Sequence, residues 1–390
     1  MKFIYELGER IDTNNVSEVE EDFLSKLAEV PDVDEVELRA ANLNYISSAG
    51  LRMLLKCRKQ FGKVTMTEVS PEVCEILATT GFDALLCVRR RLREISIDGL
   101  QEIGRGANGV VYRLDEDRIV KVYNPVTSSL EKIRREKNAS KQAFVHGIPC
   151  AISYDIVQVG DRYGMIYEML NANTLGGEIA AHPDRAEEYA RQMSGLLKKL
   201  HATEFAPGVL PDARENLYVW VDIAEKTGYY AADVLEKMRK LIAAIPSRNT
   251  FVHGDFHPGN IMVCDGELIL IDMGDAAVGD PLIDMLGSYQ IMQLVPQRKG
   301  GGERYTGMAN ELVTQVWDVF IRDYTGMRDP EQIKAYEQKL KYYALIRSFA
   351  GITFSELVPK EILPKLTADV ANVFLTGYET AMQERMGGGR

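Results

Sequence analysis

The sequence predicts a small α/β domain followed by a larger α+β region, and three observations carry that expectation. Over the first ninety-odd residues, strand-like and helix-like periods alternate. From residue 100, two β-rich runs are joined by Gly104-Arg105-Gly106-Ala107-Asn108-Gly109. Further on, Ile261-Met262-Val263-Cys264 and Glu267-Leu268-Ile269-Leu270-Ile271 flank Asp265-Gly266, a type I′ hairpin signal, within a stretch that otherwise reads as helix.

The chain of 390 residues is long enough for two or three domains with their own cores. Its 46% hydrophobic and 26% charged residues are those of an ordinary globular protein. A net charge of -11 argues against nucleic acid or an anionic membrane as the main partner. Cysteines 57, 74, 87, 150 and 264 form no C-x-x-C pair, which suits a reducing compartment and no disulfide framework. Met1-Lys2-Phe3-Ile4-Tyr5-Glu6 lacks the apolar core of a signal peptide, and no apolar run approaches ~18 residues. The expected location is the cytoplasm.

In the first domain, Phe3-Ile4-Tyr5 reads as a strand. Residues 16–30 carry a helical period through Val19, Phe23, Leu24, Leu27 and Val30. Residues 33–38 alternate as a strand, 50–61 form an amphipathic helix and 64–69 a third strand. Ser70 as N-cap and Pro71 at the first helical position open a helix to about Thr79. This βαβαβα order, with Ile46-Ser47-Ser48-Ala49-Gly50-Leu51 opening the second helix and Val69-Ser70-Pro71-Glu72-Val73 after the third strand, resembles the STAS domain of bacterial anti-anti-sigma factors over residues 1–95. The resemblance implies a protein partner and makes Ser48 a candidate phosphoacceptor, with Ser47 where the family often has Asp. The plainer alternative is that Ser47 or Ser48 caps the helix. Phosphate at that helix N-terminus would be favoured by free N–H groups and the dipole. Arg89-Arg90-Arg91-Leu92-Arg93 is expected to be a solvated face.

Leu100-Gln101-Glu102-Ile103 leads into the glycine run, and Val110-Val111-Tyr112 follows it. A β-branched run after the glycines favours a strand over the helix that a dinucleotide-binding turn requires. Arg118-Ile119-Val120-Lys121-Val122-Tyr123 is a further strand, and residues 128–143 are helical with Glu131 and Glu136. Arg162-Tyr163-Gly164-Met165-Ile166-Tyr167-Glu168-Met169-Leu170 closes the β-rich region. Strand, glycine loop, strand and lysine strand is the order of a kinase small lobe.

The densest chemistry lies in His253-Gly254-Asp255-Phe256-His257-Pro258-Gly259-Asn260. A hairpin turning at Asp265-Gly266 returns Asp272 beside Asn260, with Asp255 five residues upstream. An amide oxygen and a carboxylate side by side suit Mg²⁺ held with substrate phosphates. A His253-x-Asp255-x-His257 zinc or iron site is the alternative, and it leaves Asn260 and Asp272 without a role.

The stretch resembles the catalytic motif of aminoglycoside phosphotransferases, choline kinases and related small-molecule kinases, which share a protein-kinase-like fold. Gly254 stands where protein kinases have Arg, and Asp272-Met273-Gly274-Asp275 replaces Asp-Phe-Gly. The expected fold is therefore an α/β STAS-like domain over 1–95, then a bilobal α+β protein-kinase-like domain with a nucleotide-binding lobe over 96–170 and a catalytic lobe over 171–386. The resemblance implies ATP and Mg²⁺ as cofactors, and Asp255 as the group that orients a hydroxyl and takes its proton. Asn260 and Asp272 would be the metal ligands. Gly104, Gly106, Gly109 and Val111 would lie against the nucleotide, and Lys121 on its α and β phosphates. Glu136, with Glu131 as fallback, would pair with Lys121, and Glu168 to Leu170 would form the adenine hinge. The expected activity is transfer of the γ-phosphoryl group to a hydroxyl of a small molecule. The alternative is a nucleotide-responsive regulatory protein whose kinase-like domain controls, or phosphorylates at Ser48, the STAS-like domain.

In the remainder, residues 186–201 read as an amphipathic helix ending at His201, a packed or capping histidine. Asp280 as N-cap and Pro281 at N1 open another helix, and Asp284 falls where small-molecule kinases support the catalytic loop from below. Gln297-Arg298-Lys299-Gly300-Gly301-Gly302-Glu303 reads as a flexible loop, 311–323 and 331–350 as helices, and Gly387-Gly388-Gly389-Arg390 as a disordered tail.

Overall fold

The structure is a computed structural model that describes residues 1–387 apart from 107, 127 and 355–357; residues 388–390 of the expected tail lie outside the described residues. The chain forms two compact units, one of Met1–Ser96 with Ile156–Asp161, the other of Ile97–Asp155 and everything from Arg162 onward.

In the first unit, strands Lys2–Glu6, Glu35–Arg39, Lys63–Val69 and Cys87–Arg90 lie side by side in that order, all parallel. The register sets Phe3, Val36 and Val64 in one row and Tyr5, Leu38 and Met66 in the next. Both rows are buried, because residues two apart on a strand share a face. Phe23, Leu54 and Leu77, from helices Val16–Ala28, Ser48–Gln60 and Pro71–Thr79, join them in one core. Ser70 Oγ accepts the Val73 N–H at 3.3 Å and caps the third helix. The arginine run is more than a solvated face: Cys87–Arg90 is the fourth strand, at the sheet edge, where charged side chains discourage further pairing.

In the second unit, Glu102–Gly106, Gly109–Arg113, Arg118–Tyr123 and Arg162–Glu168 form an antiparallel succession. Helix Leu130–Val145, capped by Ser129, follows the lysine strand. After residue 170 the unit is helical apart from the hairpin Ile261–Cys264 with Glu267–Leu270 and short pairings. Helices Ala186–His201, Asn310–Thr325 and Pro330–Phe354 close on a core that includes Phe251, Phe256, Trp317, Phe320 and Phe349.

The stretch 297–303 is not the flexible loop expected. Within 297–303 a helix, Gly301–Thr306, begins, and Gly301 and Gly302 are buried. A Cβ on Gly301 would stand 2.2 Å from the Val295 carbonyl oxygen, and one on Gly302 2.6 Å from that of Met308. These glycines permit close packing and are not there to give freedom.

Candidate active site

The hairpin sets the site. Asp265 and Gly266 both have positive φ, 51° and 84°, as a type I′ turn requires. Ile261 then faces Leu270, and one step on, the Ile271 N–H donates to the Asn260 carbonyl at 3.0 Å. Asn260 and Asp272 are thereby brought to the same end of the hairpin. Asp272 has φ 58° and ψ 68°, a left-handed conformation that costs a non-glycine residue about 1–3 kcal/mol.

Asn260 Nδ2 donates to the Asp255 carbonyl at 3.0 Å and to Asp255 Oδ2 at 3.1 Å. Asp255 Oδ1 accepts from Arg347 Nη2 at 3.1 Å, and His257 Nε2 lies 3.5 Å from Oδ2. Burial would raise the Asp255 pKa, but His257 and Arg347 outweigh it and hold the carboxyl well below the usual range.

Asp284 carries the loop from beneath. Its carboxylate is fully buried and accepts the N–H groups of His253 at 2.9 Å and Gly254 at 2.6 Å, with His201 Nε2 3.0 Å away. Burial acts to raise its pKa, and the His201 and His253 partners outweigh it, so the net direction is down. The helix it belongs to starts at Leu282, one residue later than read from Asp280-Pro281, while Asp280 Oδ1 still accepts the Leu282 N–H at 3.0 Å.

Gly254 has φ 82°, and a Cβ there would lie 2.5 Å from the Asp275 carbonyl oxygen, which explains why no arginine stands at this position. The histidines on either side are turned to the backbone. His253 Nδ1 accepts the Asp255 N–H at 3.3 Å and Nε2 donates to the Ile271 carbonyl at 3.1 Å, while His257 Nδ1 accepts the Gly259 N–H at 3.1 Å. That leaves His253 no lone pair for the zinc or iron alternative.

Across the cleft, Lys121 Nζ lies 2.8 Å from Asp272 Oδ1 and 3.2 Å from Glu136 Oε1. Burial would lower the lysine pKa, but Asp272 and Glu136 outweigh it and raise it. Glu136 is 4% exposed and also accepts from Tyr167 OH at 2.6 Å, with Tyr123 OH 3.3 Å behind. Glu131, the other acidic residue of this helix, points to solvent and pairs with Arg135.

The three glycines differ in what they permit. A Cβ on Gly109 would stand 2.3 Å from the Val122 carbonyl oxygen, one on Gly104 would make an ordinary contact with Val111 at 3.8 Å, and one on Gly106 would meet nothing within 4 Å among the described residues. Val111 faces Lys121 in register; Ala107 lies outside the described residues. In the expected hinge, the Glu168 N–H donates to the Ile152 carbonyl and that of Met169 to the Asp117 carbonyl, which leaves the Leu170 amide without a partner among the described residues. In the first unit Ser47 Oγ accepts the Ala49 N–H at 3.2 Å as helix cap, and Ser48 is exposed at the first helical position.

A model of the phosphotransferase enzyme family matches residues 99–320. The chain belongs to that family. It is therefore a phosphotransferase. A STAS domain model matches residues 2–95. Among solved structures, the chain is similar to an aminoglycoside 3'-phosphotransferase of type VIII, at 15% identity and TM-score 0.43 over 62% of this chain and 93% of that one. It is similar to a choline/ethanolamine kinase family protein from Mesorhizobium loti, at 15% identity and TM-score 0.44 over 74% and 92%. A third is an aminoglycoside phosphotransferase from Streptomyces rimosus, at 16% and 0.42 over 63% and 93%. No curated protein matches the chain.

Several residues of this candidate site have no signal in the local sequence. Arg347 reaches Asp255 from 92 residues away. Tyr167 and Tyr123 sit on strands where aromatic residues usually mean core. Asp275, whose pKa burial and the neighbouring Asp255 raise, has its backbone carbonyl held by Asn216 Nδ2 at 2.8 Å. Among the described residues, no helix is long and apolar enough to cross a membrane.

Proposed function

We propose that this phosphotransferase moves the γ-phosphoryl group of ATP to a hydroxyl of a small molecule, with residues 96–170 as the nucleotide lobe and 171–386 as the catalytic and acceptor lobe. The observation that carries the reading is the Lys121 ammonium held between Glu136 and Asp272, with Asp272 at the same end of the hairpin as Asn260, which is bonded to Asp255. A fixed cation on one side and a base on the other fit a reaction in which positioning and charge neutralisation supply most of the rate.

Asp255 orients the acceptor hydroxyl and receives its proton as the new O–P bond forms and the bond from the γ-phosphorus to its bridging oxygen breaks, leaving ADP. Lys121 lies against the α and β phosphates, and Gly104, Gly106, Gly109 and Val111 cover the nucleotide. The Leu170 amide, without a partner among the described residues, and the neighbouring backbone to Glu168 receive the base. Asn260 Oδ1 and Asp272 Oδ2 have no partner among the described residues. They are hard oxygen donors and fit Mg²⁺, whose charge would neutralise the phosphates.

The test is ADP formation from Mg²⁺-ATP across a panel of hydroxylated acceptors, amino sugars and amino alcohols included. A wild-type protein that turns over no acceptor would overturn the small-molecule reading.

A second reading has its own observation. Ser47 caps the helix and leaves the Ser48 hydroxyl exposed at a helix N-terminus, a position suited to a phosphate. In this reading the kinase-like unit phosphorylates Ser48, in cis or trans, and thereby controls a protein partner of the STAS domain. Incubation with Mg²⁺ and γ-labelled ATP, followed by intact mass and peptide mapping, distinguishes the two. Label on Ser48 that is lost in Asp255→Asn supports the regulatory reading, and unlabelled protein rejects it.

A further inference from the structure

Arg347 lies within helix Pro330–Phe354, beyond residue 320 where the match to the family ends. Its side chain is 12% exposed. Nη2 donates to Asp255 Oδ1 at 3.1 Å and Nη1 to the Gly254 carbonyl at 3.2 Å, so one guanidinium grips both the carboxylate and the backbone before it. The guanidinium carbon stands 5.7 Å from the centroid of the Trp220 ring, close enough for a cation–π contact. A Cβ on Gly287 would lie 2.6 Å from Nη1, so the space that admits the guanidinium depends on a glycine in a neighbouring helix. Three elements thus combine to seat one charged group.

Asp255 has two oxygens to fix. Asn260 Nδ2 holds Oδ2 and Arg347 holds Oδ1, which together define the plane of the carboxylate. With Oδ1 released, the side chain could rotate about its terminal torsion, which is broad and roughly two-fold.

We propose that Arg347 is the positioning residue for Asp255 in phosphoryl transfer, supplied from a helix outside the family-matched segment. The inference rests on the phosphotransfer reading above. An Arg at this place serves better than Lys, because its planar fork can hold two acceptors at once.

The experiment uses the full chain and compares wild type with Arg347→Met and Arg347→Lys, each also in an Asp255→Asn background. Mg²⁺-ATP is the probe: its Kd is measured by titration, its turnover with water as acceptor by ADP release, and the Asp255 carboxylate is located in a crystal structure of Arg347→Met. The expected result is an unchanged Kd, a turnover lowered by about 100-fold, and a rotated Asp255 carboxylate. Arg347→Lys recovers part of the rate, and Arg347→Met adds no further loss to Asp255→Asn. Should Arg347→Met not fold, Arg347→Lys against wild type carries the same comparison, with an intermediate loss expected. Wild-type turnover in a folded variant, an unmoved carboxylate, or an undiminished loss in the Asp255→Asn background would each overturn the proposal. Wild-type protein that binds no Mg²⁺-ATP would instead be a failure of the phosphotransfer reading, while the crystal structure reports separately on whether Arg347 orients Asp255.

Discussion

Asn260 is tied to Asp255 twice, through Nδ2 to its carbonyl oxygen at 3.0 Å and to Oδ2 at 3.1 Å. Those two bonds use the amide nitrogen and leave the amide oxygen without a partner among the described residues, on a residue whose backbone carbonyl pairs with Ile271, the neighbour of Asp272. The loop residue and the hairpin residue are therefore positioned by backbone pairing, and the side chains inherit that precision.

Glu136 accepts from both Lys121 and Tyr167 inside the unit. Its replacement by Ala removes one of the two carboxylates that hold Lys121, Asp272 remaining, and takes the acceptor from the buried Tyr167 hydroxyl; a buried donor left without its acceptor costs about 1–3 kcal/mol. Urea unfolding of Glu136→Ala is expected to show a loss of that order, with weakened Mg²⁺-ATP binding. An unchanged midpoint would mean that the pair is not buried as described.

The glycine loop offers a contrast within itself. Gly109→Ala drives a Cβ toward the Val122 carbonyl oxygen and is expected to lower the melting temperature. Gly106→Ala meets open space, so it should leave the melting temperature alone and raise KM for ATP. Equal thermal effects of the two substitutions would contradict the distinction.

Asp284 supplies a pH dependence of stability. Its folded pKa is lowered below the unfolded value of about 3.9, so its bonds contribute fully above that pH and are lost as pH falls through the folded value. Melting temperature followed from pH 6 to about pH 3 should drop more steeply for wild type than for Asp284→Asn, which starts lower. Parallel curves would show that Asp284 is not the group responsible.

In the first unit Ser47 and Ser48 are adjacent and unlike. Ser47→Ala removes a helix cap, worth about 1 kcal/mol, while Ser48→Ala should be neutral in urea unfolding. A reversed order would assign the cap to Ser48 and weaken the case for its free hydroxyl.

The site was legible where its chemistry is local. Asp255, Asn260 and Asp272 lie within 18 residues, and Asp265-Gly266 can hardly form anything but the tight turn that unites two of them. The Lys121–Glu136 pair was legible by order along the chain, although only the structure distinguishes buried Glu136 from exposed Glu131. Arg347 was illegible, since an arginine in a long helix says nothing of a loop 92 residues earlier. The strand Cys87–Arg90 was obscured by its own charges, which an edge tolerates. Glycines 301 and 302 suggested a loop because sequence alone does not separate freedom from close packing; the carbonyl oxygens of Val295 and Met308 supply the difference.

The most direct test is Asp255→Asn in the full chain, with Mg²⁺-ATP affinity and phosphoryl transfer measured side by side. The substitution keeps the shape of the side chain and removes the proton acceptor. Affinity close to wild type with transfer abolished, to the acceptor and to protein alike, is the expected result. Near-full transfer by Asp255→Asn would contradict the assignment of Asp255 and with it the reading of the site.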